Sequence, residues 1–474
     1  MKSSFFVVLI MCGVITTSCN SNRVEQKVPF GVASVFDDSM VLQQESEVAI
    51  WGFAKPGEQV SIIPSWGEST HTMTDKNGNW IAYIKTPSAG VGHDIKFSSG
   101  SDTLHIHDVA IGEVWLASGQ SNMEMPLSGW PGNPIQDSET EITQSDNPHI
   151  RIIMVQRAVS DTPQHSVSGK WEKASPETSP NFSATAYFFA KHLYAELGVP
   201  IGIIHSSWGG TAVDSWIPVE ELEQIDGYKS IGRQLSSADT LTQNTPTVLY
   251  NAMIHPLIPY TFKGFLWYQG ESDTGNPSAY KEKFTTMIRT WRERWNQDHA
   301  PFYYVQIAPY QYGEETKSQL LREAQFETLT EPNTGMVVTL DIGDPENIHP
   351  ANKQEVGRRL ALWAAGHAYN RDIVYSGPLF KSMEVAGNEI HIEFDHTAQG
   401  LVSGPSGVQN VQIAGLDKVF YPATAIIQAS RLTVSNPNVA NPVAVRYSWD
   451  NTSPATLFNS AGLPASSFRT DDWD

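Results

Sequence analysis

Six short apolar runs, at residues 114–117, 150–155, 201–205, 264–268, 302–307 and 336–340, punctuate the middle of the chain. Between several of them the apolar positions change period. Over 184–197, Tyr187, Ala190, Tyr194 and Leu197 recur at three- and four-residue steps, with Ser183 placed to cap the helix. Residues 280–295 and 318–329 repeat that spacing. A last helix is expected to begin at Pro350, a residue suited to a first helical position, and to carry Val356, Leu360 and Trp363 toward the core. Apolar strands alternating with amphipathic helices predict a largely parallel sheet with helices on both faces, a three-layer α/β/α arrangement.

The flanks have a different pattern. Residues 48–51 and 60–63 read as strands separated by the turn cluster 55–58, and Asn77-Gly78 is a hairpin signal. A β-sandwich is expected over 28–108. His105 and His107 share a strand face with Asp108 nearby, but no further ligands stand at metal spacing, so a surface or interdomain role is the expectation. Beyond about Asp372 helices vanish again. Residues 383–386 and 390–394 read as a hairpin around Gly387-Asn388, and 425–427, 432–434 and 443–447 extend a second β-domain. The expected organisation is 1–19 export signal, 28–108 β-domain, 109–370 α/β domain and 371–474 β-domain.

With 474 residues, the chain exceeds one ordinary core. Its 40% hydrophobic and 17% charged residues describe a globular protein. A formal net charge of -20 argues against a nucleic-acid partner. At the amino terminus, Lys2, an apolar run from Phe5 to Ile15 and small residues before Cys19 describe an export signal too short to span a bilayer. Cys19 after small residues resembles a bacterial lipoprotein acylation site, although Thr16 stands where Leu is usual. The chain is therefore expected to be exported, periplasmic or at the cell surface, and to touch the membrane through a lipid on Cys19 alone. Nothing in the pattern specifies an oligomer.

Candidate chemistry gathers where strands of the middle region end, the edge at which open α/β sheets place ligands. Gly119-Gln120-Ser121-Asn122-Met123 follows the first run, and Ser121 is a candidate nucleophile. Ser206-Ser207-Trp208-Gly209-Gly210-Thr211 follows the third, with glycines that leave backbone N–H groups open to an anion. Trp267-Tyr268-Gln269-Gly270-Glu271-Ser272-Asp273 supplies an amide able to donate to an oxyanion, or, on a rival reading, a glycosidase carboxylate in Glu271 paired with Glu124 or Asp273. His349, with Asp341, Asp344 and Glu346 just upstream, suits a general base for Ser121. The acid-rich loop 120–147 lies beside the serine, and Trp208, Trp267 and Tyr268 are candidates for a sugar platform or for core.

These four stretches resemble the conserved blocks of SGNH hydrolases, and more closely the sialate O-acetylesterase family. Gly-Gln-Ser-Asn-Met-Glu-Met, Trp-Gly-Gly-Thr, Trp-Tyr-Gln-Gly-Glu-Ser and Asp-Ile-Gly-Asp with Ile-His-Pro are similar to that family's signatures. Met40-Val41-Leu42-Gln43, Gly112-Glu113-Val114-Trp115, Val445-Arg446-Tyr447 and Gly462-Leu463-Pro464-Ala465 agree as well. The resemblance implies a flavodoxin-like α/β domain and a carbohydrate O-acetylesterase without metal or organic cofactor. It implies Ser121 as nucleophile and His349 as base, with an oxyanion hole from the Ser121 N–H, Gly209 or Gly210, and the Gln269 side chain. Gln120, Asn122, Trp208 and Glu271 would line the substrate. Many SGNH enzymes carry Asn in place of Gln269. The superfamily's acid, three residues before the histidine, falls on Glu346, with Asp344 and Asp341 as alternatives, and a Ser–His dyad is the remaining arrangement. O-acetylated sialic acid is the expected substrate, acetylated plant polysaccharide the alternative, and a non-catalytic surface glycan-binding protein the reading from another class.

Overall fold

The computed structural model describes residues 30–313 and 315–473; the expected export signal and Cys19 lie outside them. At its centre, strands Asp102–Gly119 (β1), Asn147–Met154 (β2), Trp171–Ala174 (β3), Ile201–Ser207 (β4), Gly264–Tyr268 (β5), Phe302–Val305 (β6) and Thr334–Val337 (β7) lie side by side in the order β3-β2-β4-β1-β5-β6-β7. All neighbours are parallel except β3, which runs antiparallel to β2 at the edge. Without β3 and β2 at one end, the remaining five strands, β4-β1-β5-β6-β7, follow the flavodoxin order of second, first, third, fourth, fifth, and β1 stands where the order reverses.

The strands read as apolar runs because both faces are covered. Val114 and Leu116 of β1 join a core with Phe284 and Trp291 on one face. Trp115 and Ala117 join another with Phe188, Phe189 and Leu360 on the opposite face. Helices of the region include Ser121–Glu124 (α1), Ala184–Leu197 (α2), Pro277–Arg294 (α3), Ser318–Glu327 (α4) and Lys353–Trp363 (α5); α2, α3 and α5 supply the helix side chains just named. Ser183 caps α2 as expected, its side chain accepting from the Ala186 N–H, and Gly198 closes the helix in the left-handed region. The last helix departs from expectation. Pro350 precedes it, and Asn352 caps α5 by accepting the Glu355 N–H at 3.1 Å.

The amino-terminal region is tied into the central sheet by the backbone. β1 is long enough to pair with Gly90–Ser99 in its first half and with β4 and β5 in its second. Val41–Gln43 adds alongside its middle. The expected boundary at 108/109 therefore falls within one strand. The Asn77-Gly78 turn forms, with the Asp75 carboxylate accepting the Asn77 and Asn79 N–H groups. It joins strands of different sheets rather than a hairpin: Thr70–Met73 pairs with Gln59–Pro64, and Asn79–Lys85 with Glu47–Phe53. His105 and His107 stack on each other, while Asp108 takes the Arg151 and Lys173 cations.

The carboxyl-terminal region forms two four-stranded sheets and a two-stranded one around its own core, including Ile390, Ile413, Val445 and Phe468. Leu379–Ala386 and Glu389–Asp395 pair as the expected hairpin. Buried side chains attach this region to the centre. Arg322 of α4 reaches the Ser467 hydroxyl and the Ser448 carbonyl, and Gln306 donates to Ser466.

Candidate active site

β1 ends in a backbone turn that only glycine fits. Gly119 has φ 141, and a Cβ there would stand 2.2 Å from the Tyr268 carbonyl oxygen. The chain then enters α1, so Ser121 sits at the first position of a helical turn, at the carboxyl edge of the sheet where strand order reverses. Its own N–H belongs to the unpaired first turn and meets no acceptor among the described residues.

His349 arrives from the loop between β7 and α5, and its Nε2 lies 3.0 Å from Ser121 Oγ. The Asn347 side chain accepts the His349 backbone N–H at 2.9 Å, and the Trp130 ring meets the imidazole edge to face at 5.2 Å. Burial, then the Lys353 charge, lowers the imidazole to about 4, so at neutral pH it is a free base. When Nε2 accepts the serine proton, Nδ1 carries the other hydrogen. Among the described residues it meets no acceptor.

The three upstream acids are turned elsewhere. Asp341 makes a two-pronged pair with Arg359, at 2.7 and 2.6 Å. Asp344 is exposed and accepts the Glu346 N–H, and Glu346 is exposed. Neither hydrogen bond nor ion pair joins any of them to His349 among the described residues, which departs from the expected triad. The loop closes on itself through the Asp344–Asn347 bridge, and that turn points the Asp344 and Glu346 carboxylates outward.

The expected oxyanion donors divide. Gly209 packs against the nucleophile, and a Cβ there would lie 3.2 Å from Ser121 Cβ. Its N–H donates to Glu124 Oε2 at 2.8 Å, and Arg157 holds the other oxygen of that carboxylate at 2.6 Å. Gln269 is fully buried and faces inward. Its amide donates to the Thr211 carbonyl and to Asp273, while its own oxygen accepts from Tyr280. A side chain so committed is not presented to Ser121. Gln120 lies alongside, its Oε1 accepting the Gly270 and Ser272 N–H groups at 3.3 Å each.

The proposed glycosidase carboxylates are likewise engaged. Asp273 pairs with buried Lys283 at 2.7 Å, Glu124 is held as described, and Glu271 accepts from Asn122 at 2.5 Å. Trp267 and Tyr268 are core residues, leaving Trp208 half-buried with the Arg157 guanidinium 5.6 Å from its ring. The loop 120–147 packs down through Leu127 and Ile135 and delivers Trp130.

Sequence reasoning did not single out Trp130, Arg157 or Lys353. Lys353 is fully buried beneath the site, donating to Asn122 Oδ1 at 2.5 Å. A lysine in a polar Ala-Asn-Lys-Gln stretch carries no signal of burial, since lysines are mostly exposed.

Comparison with known proteins agrees with this architecture. A family profile described as carbohydrate esterase, sialic acid-specific acetylesterase, matches residues 111–365. The sialate O-acetylesterase of Mus musculus is 28% identical over 94% of this chain and 93% of its own length. That of Rattus norvegicus is 30% identical over 78% and 80%. A crystal structure of a carbohydrate acetylesterase from Xanthomonas citri superposes with a TM-score of 0.86 at 37% identity, covering 94% of this chain and all of the other.

Proposed function

The chain belongs to the sialic acid-specific acetylesterase family of carbohydrate esterases, and from that premise we propose that it removes O-acetyl groups from sialic acid through an acetyl-enzyme on Ser121. The observation that carries this reading is the 3.0 Å approach of His349 Nε2 to a serine oxygen at the end of β1. Ser121 Oγ attacks the acetyl carbonyl as His349 Nε2 takes its proton. The oxyanion gathers the Ser121 N–H and the N–H groups of Gly209 and Gly210, with Glu124 giving up Gly209 as negative charge builds. The tetrahedral intermediate collapses, and His349 returns the proton to the departing sugar oxygen. Water, deprotonated by the same imidazole, then attacks the acetyl-enzyme and releases acetate and free serine.

Arg157, paired with Glu124 yet with half its side chain exposed, lies beside Trp208 and supports the sialate reading by offering a guanidinium and an aromatic face to a carboxylated sugar. Half-buried Trp130 and Trp208 favour a second reading, acetyl esters on a neutral polysaccharide, for which rings serve as platforms. Acetate release from O-acetylated sialic acid and from acetylated xylan, by wild type and Ser121→Ala, tests both. The sialate reading expects the higher kcat/KM on sialic acid and loss of both activities in the mutant; a fully active mutant would overturn the mechanism.

Export with a lipid on Cys19 belongs to the same proposal. Cells fed labelled palmitate would mark the wild-type protein and leave Cys19→Ala unmarked; equal labelling would refute the anchor.

A further inference from the structure

Asn122, the residue after the nucleophile, is fully buried and held from three directions. Its amide nitrogen donates to Glu271 Oε1 at 2.5 Å and to the Ile348 carbonyl at 3.1 Å. Its oxygen accepts from Lys353 Nζ at 2.5 Å. Ile348 immediately precedes His349, so this one side chain links the helix of the nucleophile to the loop of the base. The partners also fix which way the amide faces. An ammonium only donates and a carboxylate only accepts, so Asn122 must turn its oxygen to Lys353 and its nitrogen to Glu271 and Ile348. Burying an ammonium and a carboxylate is costly, and this pair is not in direct contact.

We propose that Lys353 is a positioning residue for the Ser121–His349 pair, its ammonium locking Asn122 in the one orientation that ties α1 to the His349 loop. The proposal rests on Ser121 and His349 being the reacting pair. Without the ammonium, the buried amide oxygen loses its donor and only the nitrogen's bonds to Glu271 and Ile348 hold the side chain, so the Ile348 link weakens and the 3.0 Å approach loosens. Misplacing a catalytic group by about 1 Å costs on the order of 10²-fold.

The charge has a second effect. The titratable groups around Lys353 are Glu271 from the turn after β5, His349 from its own loop, Tyr268 from β5, whose ring centroid is 5.3 Å from Nζ, and Tyr312, which lies within the electrostatic reach of Glu271. Burial raises Glu271 and both tyrosines and pulls Lys353 well below the usual lysine range, Glu271 opposing. Burial first, and then this nearby cation, keep His349 neutral; the cation acts in the reverse sense of a triad carboxylate, which makes the imidazole more basic.

The rate of Ser121 labelling by a fluorophosphonate, followed from acid to neutral pH, tests the proposal independently of the substrate. Wild type should label and Ser121→Ala should not; equal labelling of that mutant would defeat the reaction mechanism rather than the role of Lys353. Lys353→Met should label about 10- to 100-fold more slowly, with its acid limb moved up by about one pH unit. Lys353→Arg should keep the limb in place and recover part of the rate. Asn122→Ala should be as slow as Lys353→Met, and the double mutant no slower than either, since both act through one contact. A wild-type rate and unmoved limb in Lys353→Met overturn the proposal, and so do fully additive losses. Should Lys353→Met fail to fold, a wild-type rate in Asn122→Ala overturns it alone.

Discussion

On the solvent side of Ser121 the chemistry is sparse, and on the protein side it is dense with charge. The solvent side has one imidazole at 3.0 Å, a tryptophan against it, and carboxylates that face away. Behind the serine, Asn122, Glu271 and Lys353 form a sealed network of an amide between two opposite charges. The order of the site is set from behind the serine. On the proposed mechanism, the orienting role usually given to an acid on the base falls to the Asn347 contact, the Trp130 ring and the Asn122 link to Ile348.

The largest expected effect comes from removing the front of the site. Ser121→Ala should lower kcat by at least about 10³-fold, and His349→Ala by a similar factor, with their combination no worse than either. Acetate release under saturating substrate checks this, and additive losses would mean that the two residues do not act as a unit. Asp341→Asn should instead act on stability. It leaves Arg359, 5% exposed at its side chain, without its main partner and should cost about 3 kcal/mol. Denaturant unfolding should show the loss while the folded fraction keeps kcat within about 3-fold. A triad role for Asp341 would reverse that pattern. Trp208→Ala should raise KM by roughly 5-fold on sugar esters and leave kcat nearly unchanged, as expected for a ring that only stacks. A fall in kcat alone would place Trp208 in the chemistry.

Much of the fold was legible because both faces of the central sheet are covered, which writes each strand as an apolar run, and because α2 carries its cap and its period openly. The boundary at 108/109 was not, since β1 continues through it and a strand shared by two regions leaves no composition break. Asn77-Gly78 announced a turn correctly, but turn chemistry does not say whether the flanking strands pair. Pro350 resembled a helix start, yet the Asn352 side chain capped the helix two residues later. Within the site, strand ends placed Ser121, Gly209 and His349 together. Spacing alone could not show that Asp344 and Glu346 face solvent while Asp341 is spent on Arg359, that Gln269 is spent on Asp273, or that Lys353 is buried. Each depends on which way a side chain faces once the chain has packed.

On the proposed mechanism, the Ser121–His349 pair works without a carboxylate on the imidazole. The direct measurement is kcat/KM against pH for wild type, Glu346→Gln and Asp344→Asn. On the proposed mechanism neutral His349 is the base, so the acid limb of activity should lie at the lowered imidazole value of about 4, well below the ordinary 6.5. Both mutants should follow the wild-type curve within about 2-fold. A loss on the order of 10²- to 10⁴-fold in either, as when a triad acid is removed, would contradict it.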